Sequence, residues 1–211
     1  MEIVEQPIRE WLYRQLGTNL RIERHDYSNQ DDVYKIHSAE GGFYLKINLS
    51  LKNEYDSMLR IQHFLSTPKA IGFTRIAGKE YLLMTEVPGN NLAELVGEWR
   101  TDTIIREFAK AVRLFHTLSV TDVFPESDVS ASSVVLHGDM SFPNVIFSEP
   151  GSPSYIDLGQ VSIGSLENDL ADALWSVQRN LGPGYGEQFL EEYGDVAMTE
   201  KIDKALKFRH S

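Results

Sequence analysis

The sequence predicts an α+β protein of two lobes: an N-terminal lobe built on an antiparallel sheet, then a mostly helical C-terminal lobe. Three observations predict it. Strand-like segments crowd the first half, apolar residues at helical spacing crowd the second, and the turn-rich stretch Pro88-Gly89-Asn90-Asn91 stands between them. The expected boundaries are 1–87 for the first lobe, 88–91 for the joint and 92–211 for the second lobe. At 211 residues the chain is long enough to bury a core in one domain or two small ones.

The first half opens with an amphipathic helix over 5–16, with Ile8, Trp11, Leu12 and Leu16 on one stripe. Strands are predicted at 20–25, 33–37 and 43–47, the last two joined by a turn at Glu40-Gly41-Gly42. A helix over 51–65 follows, its stripe at Tyr55, Met58, Leu59, Gln62 and Leu65. Strands at 70–76 and 81–85 close this half. In the second half, Ile104, Ile105, Phe108, Val112 and Phe115 mark a helix over 102–118. Short apolar segments at 133–136, 145–147 and 154–156 come next. Leu166, Leu170, Ala173, Leu174 and Val177 define a further helix with Ser165 as the expected N-cap, and Gly182-Pro183-Gly184 ends it. Two short helices, 187–193 and 199–208, finish the chain, and no internal repeat is present.

Composition narrows the class. The chain is 42% hydrophobic and 24% charged, as an ordinary folded protein is. It has no cysteine, so disulfides and thiolate metal sites are excluded, and a reducing cytoplasm is the expected setting. Residues 1–10 have neither a basic start nor an apolar run, so no secretory signal is expected, and no stretch reaches the length of a membrane span. A net charge of −11 argues against nucleic acid or an anionic membrane as partner and mildly favours a cationic one.

The chemistry is concentrated in His137-Gly138-Asp139-Met140-Ser141-Phe142-Pro143-Asn144 and in Ile156-Asp157-Leu158-Gly159, whose Asp157 lies thirteen residues after Asn144. Taken singly, these residues have bland explanations. An Asp after Gly is usually a turn residue, an Asn after Pro usually caps, and an Asp near Gly usually turns the chain. Together they place an acid, an amide and a second acid on neighbouring apolar-flanked segments. That set suits phosphoryl transfer from a nucleotide: Asp139 as the base for a hydroxyl, Asn144 and Asp157 as oxygen ligands of Mg²⁺. In the strand 43–47, Tyr44 and Lys46 share the face opposite Phe43, Leu45 and Ile47. A strand Lys is commonly a solvated surface residue. Held by a carboxylate on the next helix, Glu54 or alternatively Asp56, Lys46 can reach phosphate oxygens. No His-Glu-x-x-His, cysteine zinc pattern, Gly-x-Ser-x-Gly elbow or Walker-type loop competes with this reading.

These motifs resemble the aminoglycoside phosphotransferase family of protein-kinase-like enzymes, most closely the aminoglycoside 3′-phosphotransferase branch. His137, Gly138, Asp139 and Asn144 fill the family's catalytic loop, and Ile156, Asp157 and Gly159 its metal segment. The run from Tyr81 to Gly89 resembles the family's strand and hinge, Phe115-His116-Thr117-Leu118 a helix end, and Asp169-Leu170-Ala171 a helix start. The likeness extends over about 27–193. It implies a bilobal protein-kinase-like fold, with a nucleotide-binding first lobe, a catalytic second lobe and the ligand in the cleft that such folds favour. It also implies ATP or GTP as co-substrate with Mg²⁺ on Asn144 and Asp157, Asp139 as base, and Lys46 positioned by Glu54. The backbone near Glu86 and Val87 would hold the adenine, Ser28 and Asn29 would touch phosphate, and Asp169 and His116 would be structural. The implied reaction moves the γ-phosphate to a hydroxyl of a small, cationic molecule, an aminoglycoside first.

Three departures concern this pattern. Only twenty residues separate His116 from His137, where the family usually inserts a pair of helices that wall the acceptor site. The sequence ends at Ser211, where the family continues into a longer C-terminal helix, and Gln160 stands where the branch often carries Arg. The first two bear on the acceptor and leave the nucleotide site intact. A kinase of a choline-, homoserine- or sugar-like metabolite, or a truncated nucleotide-binding pseudoenzyme, is therefore the alternative. Gly138 in place of Arg, and the short run from Gly159 to Ser165, argue against a protein kinase. Glu126, Asp128, Glu191, Glu192 and Asp195 are read as solvated surface acids.

Overall fold

The computed structural model describes residues 6–25, 32–127, 132–194 and 200–209. The chain divides into two compact units, Met1–Gln62 with Thr67–Val87, and His63–Ser66 with Pro88–Ser211.

The first unit is a five-stranded antiparallel sheet of β1 (Arg21–His25), β2 (Asp32–Ser38), β3 (Gly41–Asn48), β4 (Ala70–Ile76) and β5 (Lys79–Thr85), in the order β1-β2-β3-β5-β4. The register pairs Tyr34 with Leu45 and Ile36 with Phe43, so the inward residues of β2 and β3 meet on one face. Helix α1 (Gln6–Leu16) buries Ile8, Trp11, Leu12 and Leu16 in the same cluster as Tyr34, Ile36, Phe43, Leu45, Tyr81 and Leu83. Each such side chain contributes roughly 1.5–3 kcal/mol when fully buried.

Two expectations are corrected here. The β2–β3 turn is Ala39-Glu40, one residue earlier than expected, because Ser38 pairs with Gly41 and both glycines lie within β3. Helix α2 (Lys52–Ile61) is shorter than 51–65, and its buried face is Glu54, Ser57, Met58 and Ile61 rather than the expected stripe. The buried face is rotated because it carries a polar contact, described below. The helix stops because the chain must extend: the Ser66 carbonyl accepts the Tyr155 N–H at 2.9 Å, and Pro68 disfavours helix before it.

The second unit is mainly helical. Helix α3 (Thr101–His116) buries Ile104, Ile105, Phe108, Val112 and Phe115, the stripe expected from its spacing. Around it stand α4 (Val120–Val123), α5 (Glu167–Leu181), α6 (Gly186–Gly194) and α7 (Glu200–Arg209). Two small antiparallel sheets complete the unit: β6 (Asn90–Asn91), β8 (Val145–Phe147) and β9 (Pro153–Tyr155) in one, and β7 (Val134–Leu136) with β10 (Ser162–Gly164) in the other. Edge-on rings seal the core, with Phe108 against Phe142 at 4.7 Å and Phe115 against Tyr155 at 5.1 Å. Ser165 is not the cap of α5. Leu166 occupies that position without a side-chain bond, and the Ser165 hydroxyl bonds Glu167 instead. Among the described residues, no helix is long and apolar enough to cross a membrane.

Candidate active site

In the first unit, β3 and α2 bring Lys46 and Glu54 together. The ammonium donates to Glu54 Oε2 at 2.8 Å, and both residues are buried. A buried ion pair needs a fixed geometry to offset desolvation. The start of α2 supplies it. Glu80, on β5, is almost wholly buried and accepts the N–H groups of Leu51 at 2.5 Å and Lys52 at 3.0 Å, while also pairing with Arg75. A carboxylate at a helix N-terminus satisfies orphan donors and meets the positive end of the dipole. The Arg75 guanidinium and these N–H groups hold the Glu80 carboxyl below its ordinary range.

At the end of β5, the Glu86 N–H donates to the Gly42 carbonyl at 2.9 Å and its side chain takes the Lys35 ammonium at 2.6 Å. A Cβ on Gly42 would fall 1.9 Å from Glu86 Oε2, so any side chain there would displace the Glu86 carboxylate. The sequence-based assignment of Glu86 is therefore narrowed: its N–H is engaged, leaving its carbonyl and the Val87 backbone for a base edge. Ser28 and Asn29 lie outside the described residues.

In the second unit, the catalytic-looking run forms a loop between β7 and a single 3₁₀ turn, Phe142–Asn144. The Asn144 Nδ2 donates at 2.9 Å to both the backbone carbonyl and the Oδ2 of Asp139. The Ile156 N–H donates to the Asn144 carbonyl at 3.1 Å, which sets the segment bearing Asp157 beside the one bearing Asn144. Asp157 itself has φ 58° and ψ 55°, a left-handed conformation that Asp tolerates better than most residues. Such backbone strain gathers at functional positions.

His137 joins the two segments. Its Nδ1 accepts the Asp139 N–H at 3.3 Å, so Nε2 carries the proton and donates to the Ile156 carbonyl at 3.0 Å. Burial pushes the imidazole below its ordinary pKa, against the pull of Asp169, Asp139 and Asp157, which keeps this neutral tautomer in place. Gly138 has φ 85°, and a Cβ there would stand 2.4 Å from the Gln160 carbonyl. No Arg fits this position.

Helix α5 anchors both ends of the loop. Asp169, fully buried, accepts the His137 N–H at 2.7 Å and the Gly138 N–H at 2.9 Å. Two turns on, the Ser176 hydroxyl accepts the Phe142 N–H at 2.8 Å. Burial alone would raise the Asp169 carboxyl, but His116 and the two N–H groups outweigh it and hold the carboxyl below its usual range. Helix α3 holds the β8–β9 hairpin in turn: Glu107 accepts the Gly151 N–H at 2.8 Å, and the Tyr155 hydroxyl donates to the Ala111 carbonyl at 2.7 Å.

Sequence reasoning singled out Lys46, Glu54, Asp139, Asn144 and Asp157 as candidates; the structure pairs the first two in one unit and joins Asp139 with Asn144 in the other. It missed Glu80, Glu107 and Ser176. Ser176 carries a faint signal, a polar residue inside the apolar stretch from Ala173 to Val177. Among the described residues, no cluster of three or more His, Cys, Asp or Glu could hold a metal ion. A transition-metal centre is not what these donors suit. With Nδ2 of Asn144 given to Asp139, its Oδ1 remains to act with the Asp157 carboxylate, a hard-oxygen donor set that fits Mg²⁺ completed by phosphates and water.

Residues 121–204 match the model of the phosphotransferase enzyme family. An aminoglycoside 3′-phosphotransferase of Enterococcus faecalis is 23% identical over 229 residues, covering 83% of this chain and 86% of its own. One of Niallia circulans is 23% identical over 250 residues, covering 93% and 95%. The structure of the aminoglycoside phosphotransferase APH(3'')-Id from Streptomyces rimosus, in complex with ADP and streptomycin, superposes with a TM-score of 0.69 at 18% identity, covering 89% of this chain and 91% of that one. The chain is thus similar in sequence to the aminoglycoside 3′-phosphotransferases and shares the protein-kinase-like fold of the superposed aminoglycoside phosphotransferase.

Proposed function

We propose that the protein is a Mg²⁺-dependent kinase that moves the γ-phosphate of ATP or GTP to a hydroxyl of a small cationic molecule, with an aminoglycoside as the leading acceptor. The observation that carries this reading is the Asp139–Asn144 pair, bonded at 2.9 Å, with the Asp157 segment tied to Asn144 through the Ile156 N–H. The Asn144 amide fixes Oδ2 of Asp139 and leaves Oδ1 to orient the acceptor hydroxyl and take its proton late in transfer. Lys46, steered by Glu54, serves phosphate oxygens, and the Glu86 carbonyl and Val87 backbone serve the base. Asn144 and Asp157 hold the metal, which neutralises charge on the phosphates when bound. The relatives at 23% identity and the ADP and streptomycin of the superposed structure support the nucleotide and the acceptor class.

A second reading, a kinase of another small hydroxylated metabolite, rests on the acceptor region. An alignment of 250 residues that takes in 93% of a 211-residue chain leaves positions of the relative without counterparts here. Between His116 and β7, the described residues form one helix, α4, of four residues. ADP or GDP release with Mg²⁺, measured with and without kanamycin-type aminoglycosides, separates the readings. The proposal expects stimulation by a panel member and a loss of about 10²- to 10⁴-fold in Asp139→Ala with nucleotide binding retained. Nucleotide binding without stimulation would favour the second reading, and wild-type turnover in Asp139→Ala would remove the base.

A further inference from the structure

Asp169 is held from two sides. Its Oδ1 takes the Gly138 N–H and its Oδ2 the His137 N–H, and on the other side His116 Nε2 lies 3.2 Å from the same Oδ2. A carboxylate only accepts, so Nε2 of His116 carries a proton. The other ring nitrogen, Nδ1, lies 2.8 Å from the Tyr193 hydroxyl, near the end of α6. The side chains of His116 and Asp169 are 4% and 0% exposed, so water does not replace either contact. The rings of His116 and Tyr193 meet edge-on at 5.8 Å, with 74° between their planes. A continuous chain therefore runs from Tyr193 through His116 and Asp169 to the two N–H groups that immediately precede Asp139.

We propose that Tyr193 is a positioning residue for Asp139: its hydroxyl fixes the His116 ring, His116 fixes the Asp169 carboxylate, and Asp169 fixes the loop that aims the base. The proposal rests on the reading of Asp139 as that base. The ring of a phenylalanine would fill the same space, so packing does not call for the hydroxyl. It is called for by the buried Nδ1, which without a partner leaves the imidazole with an unsatisfied polar atom and a reason to turn or change tautomer. If the ring turns, Asp169 loses its third donor, and two N–H groups on adjacent residues fix a carboxylate less well than three. An error of an ångström in a reacting group is enough to slow a reaction by about 10²-fold. The other inward residues of α6, Phe189 and Leu190, are purely apolar, so Tyr193 is where this helix makes a directional contact with the site.

The test compares wild type, Y193F, H116N and the double variant in turnover, in imidazole ¹⁵N shifts of His116, and in exchange of the His137 and Gly138 amides. Y193F is expected to lower kcat by about 10-fold with the nucleotide KM within about twofold. The double variant should be no slower than H116N, because the two groups act in one chain. Faster exchange at the two amides and a changed His116 tautomer balance should accompany the loss. Wild-type kcat in Y193F, or losses that add in the double variant, would overturn the proposal, whereas a mere packing role predicts a silent Y193F. The amide and imidazole readouts need no activity. If wild type and Asp139→Ala turn over equally, the base assignment fails alone, and unchanged exchange and tautomer in Y193F still overturn the relay. H116N, read by the same amides, decides the matter should Y193F not fold.

Discussion

A side chain at position 138 meets two obstacles at once. The backbone sits at φ 85°, where a Cβ is strained, and the Cβ would press to 2.4 Å on the carbonyl of Gln160. Gly151 shares the first obstacle, at φ 88°, but has nothing within 4 Å of a Cβ. The pair separates strain from collision. Gly151→Ala should cost about 1 kcal/mol and leave turnover intact. Gly138→Ala should cost more, about 2–4 kcal/mol, because either the loop or the Gln160 segment must shift. Turnover should fall more than about tenfold, since the shift carries Asp139 with it. Urea unfolding and initial rates on both variants check this. Equal costs would show that the Gln160 segment yields easily and that glycine is present for its φ alone.

At the scale of elements, α2 shows a helix orientation decided by charge. Lys46 and Glu54 turn the buried face toward an ion pair, and Glu80 caps the helix from a neighbouring strand. Lys46→Met should destabilise the first unit by about 3–5 kcal/mol, because it leaves the Glu54 carboxylate buried without its cation. Lys46→Met with Glu54→Leu should recover much of that loss, while turnover stays abolished in both. Denaturation of the two variants decides it, and a double variant no more stable than the single one would show that the pair is not what makes Lys46→Met costly.

This element also shows where sequence reading reaches its limit. The candidate residues Asp139, Asn144 and Asp157 were legible because they fall in two short runs, and their types and spacing suit one chemistry. The stripe of α3 was legible because Ile104, Ile105, Phe108, Val112 and Phe115 recur at helical spacing, although the helix also buries Glu107. The face of α2 was not, since hydrophobic periodicity cannot score a Glu as an inward residue. Glu80, Glu107 and Ser176 were hidden for a related reason. Each bonds a backbone N–H about 30 residues away or more, and a contact with the main chain leaves no mark on the sequence of its partner.

For the whole molecule, the buried titratable groups define a pH range of greatest stability. His137 has a depressed pKa, so between that value and about 6.5 the unfolded chain binds a proton that the folded chain refuses. Stability should therefore fall as pH drops below about 6.5, by up to about 1.4 kcal/mol per pH unit for this one proton. Glu80 and Asp169 are also depressed. Their contribution is present above the ordinary carboxyl range and is lost as pH falls through their lowered values, which steepens the acid limb below about 4.5. On the alkaline side the sign reverses. Burial raises the Tyr155 and Tyr193 hydroxyls, so above about 10 the unfolded chain gives up protons that the folded chain keeps, and stability should fall again. Urea midpoints taken from pH 4 to 11 should accordingly form a plateau bounded near 6.5 and 10. His137→Asn isolates the first limb. It should be less stable than wild type at pH 7.5, having lost the bridge between Asp139 and Ile156, yet its stability should change little between pH 6.5 and 5. An unchanged slope in that interval would mean that another group supplies the proton, and that a neutral His137 is not what ties the Asp139 loop to the Asp157 segment.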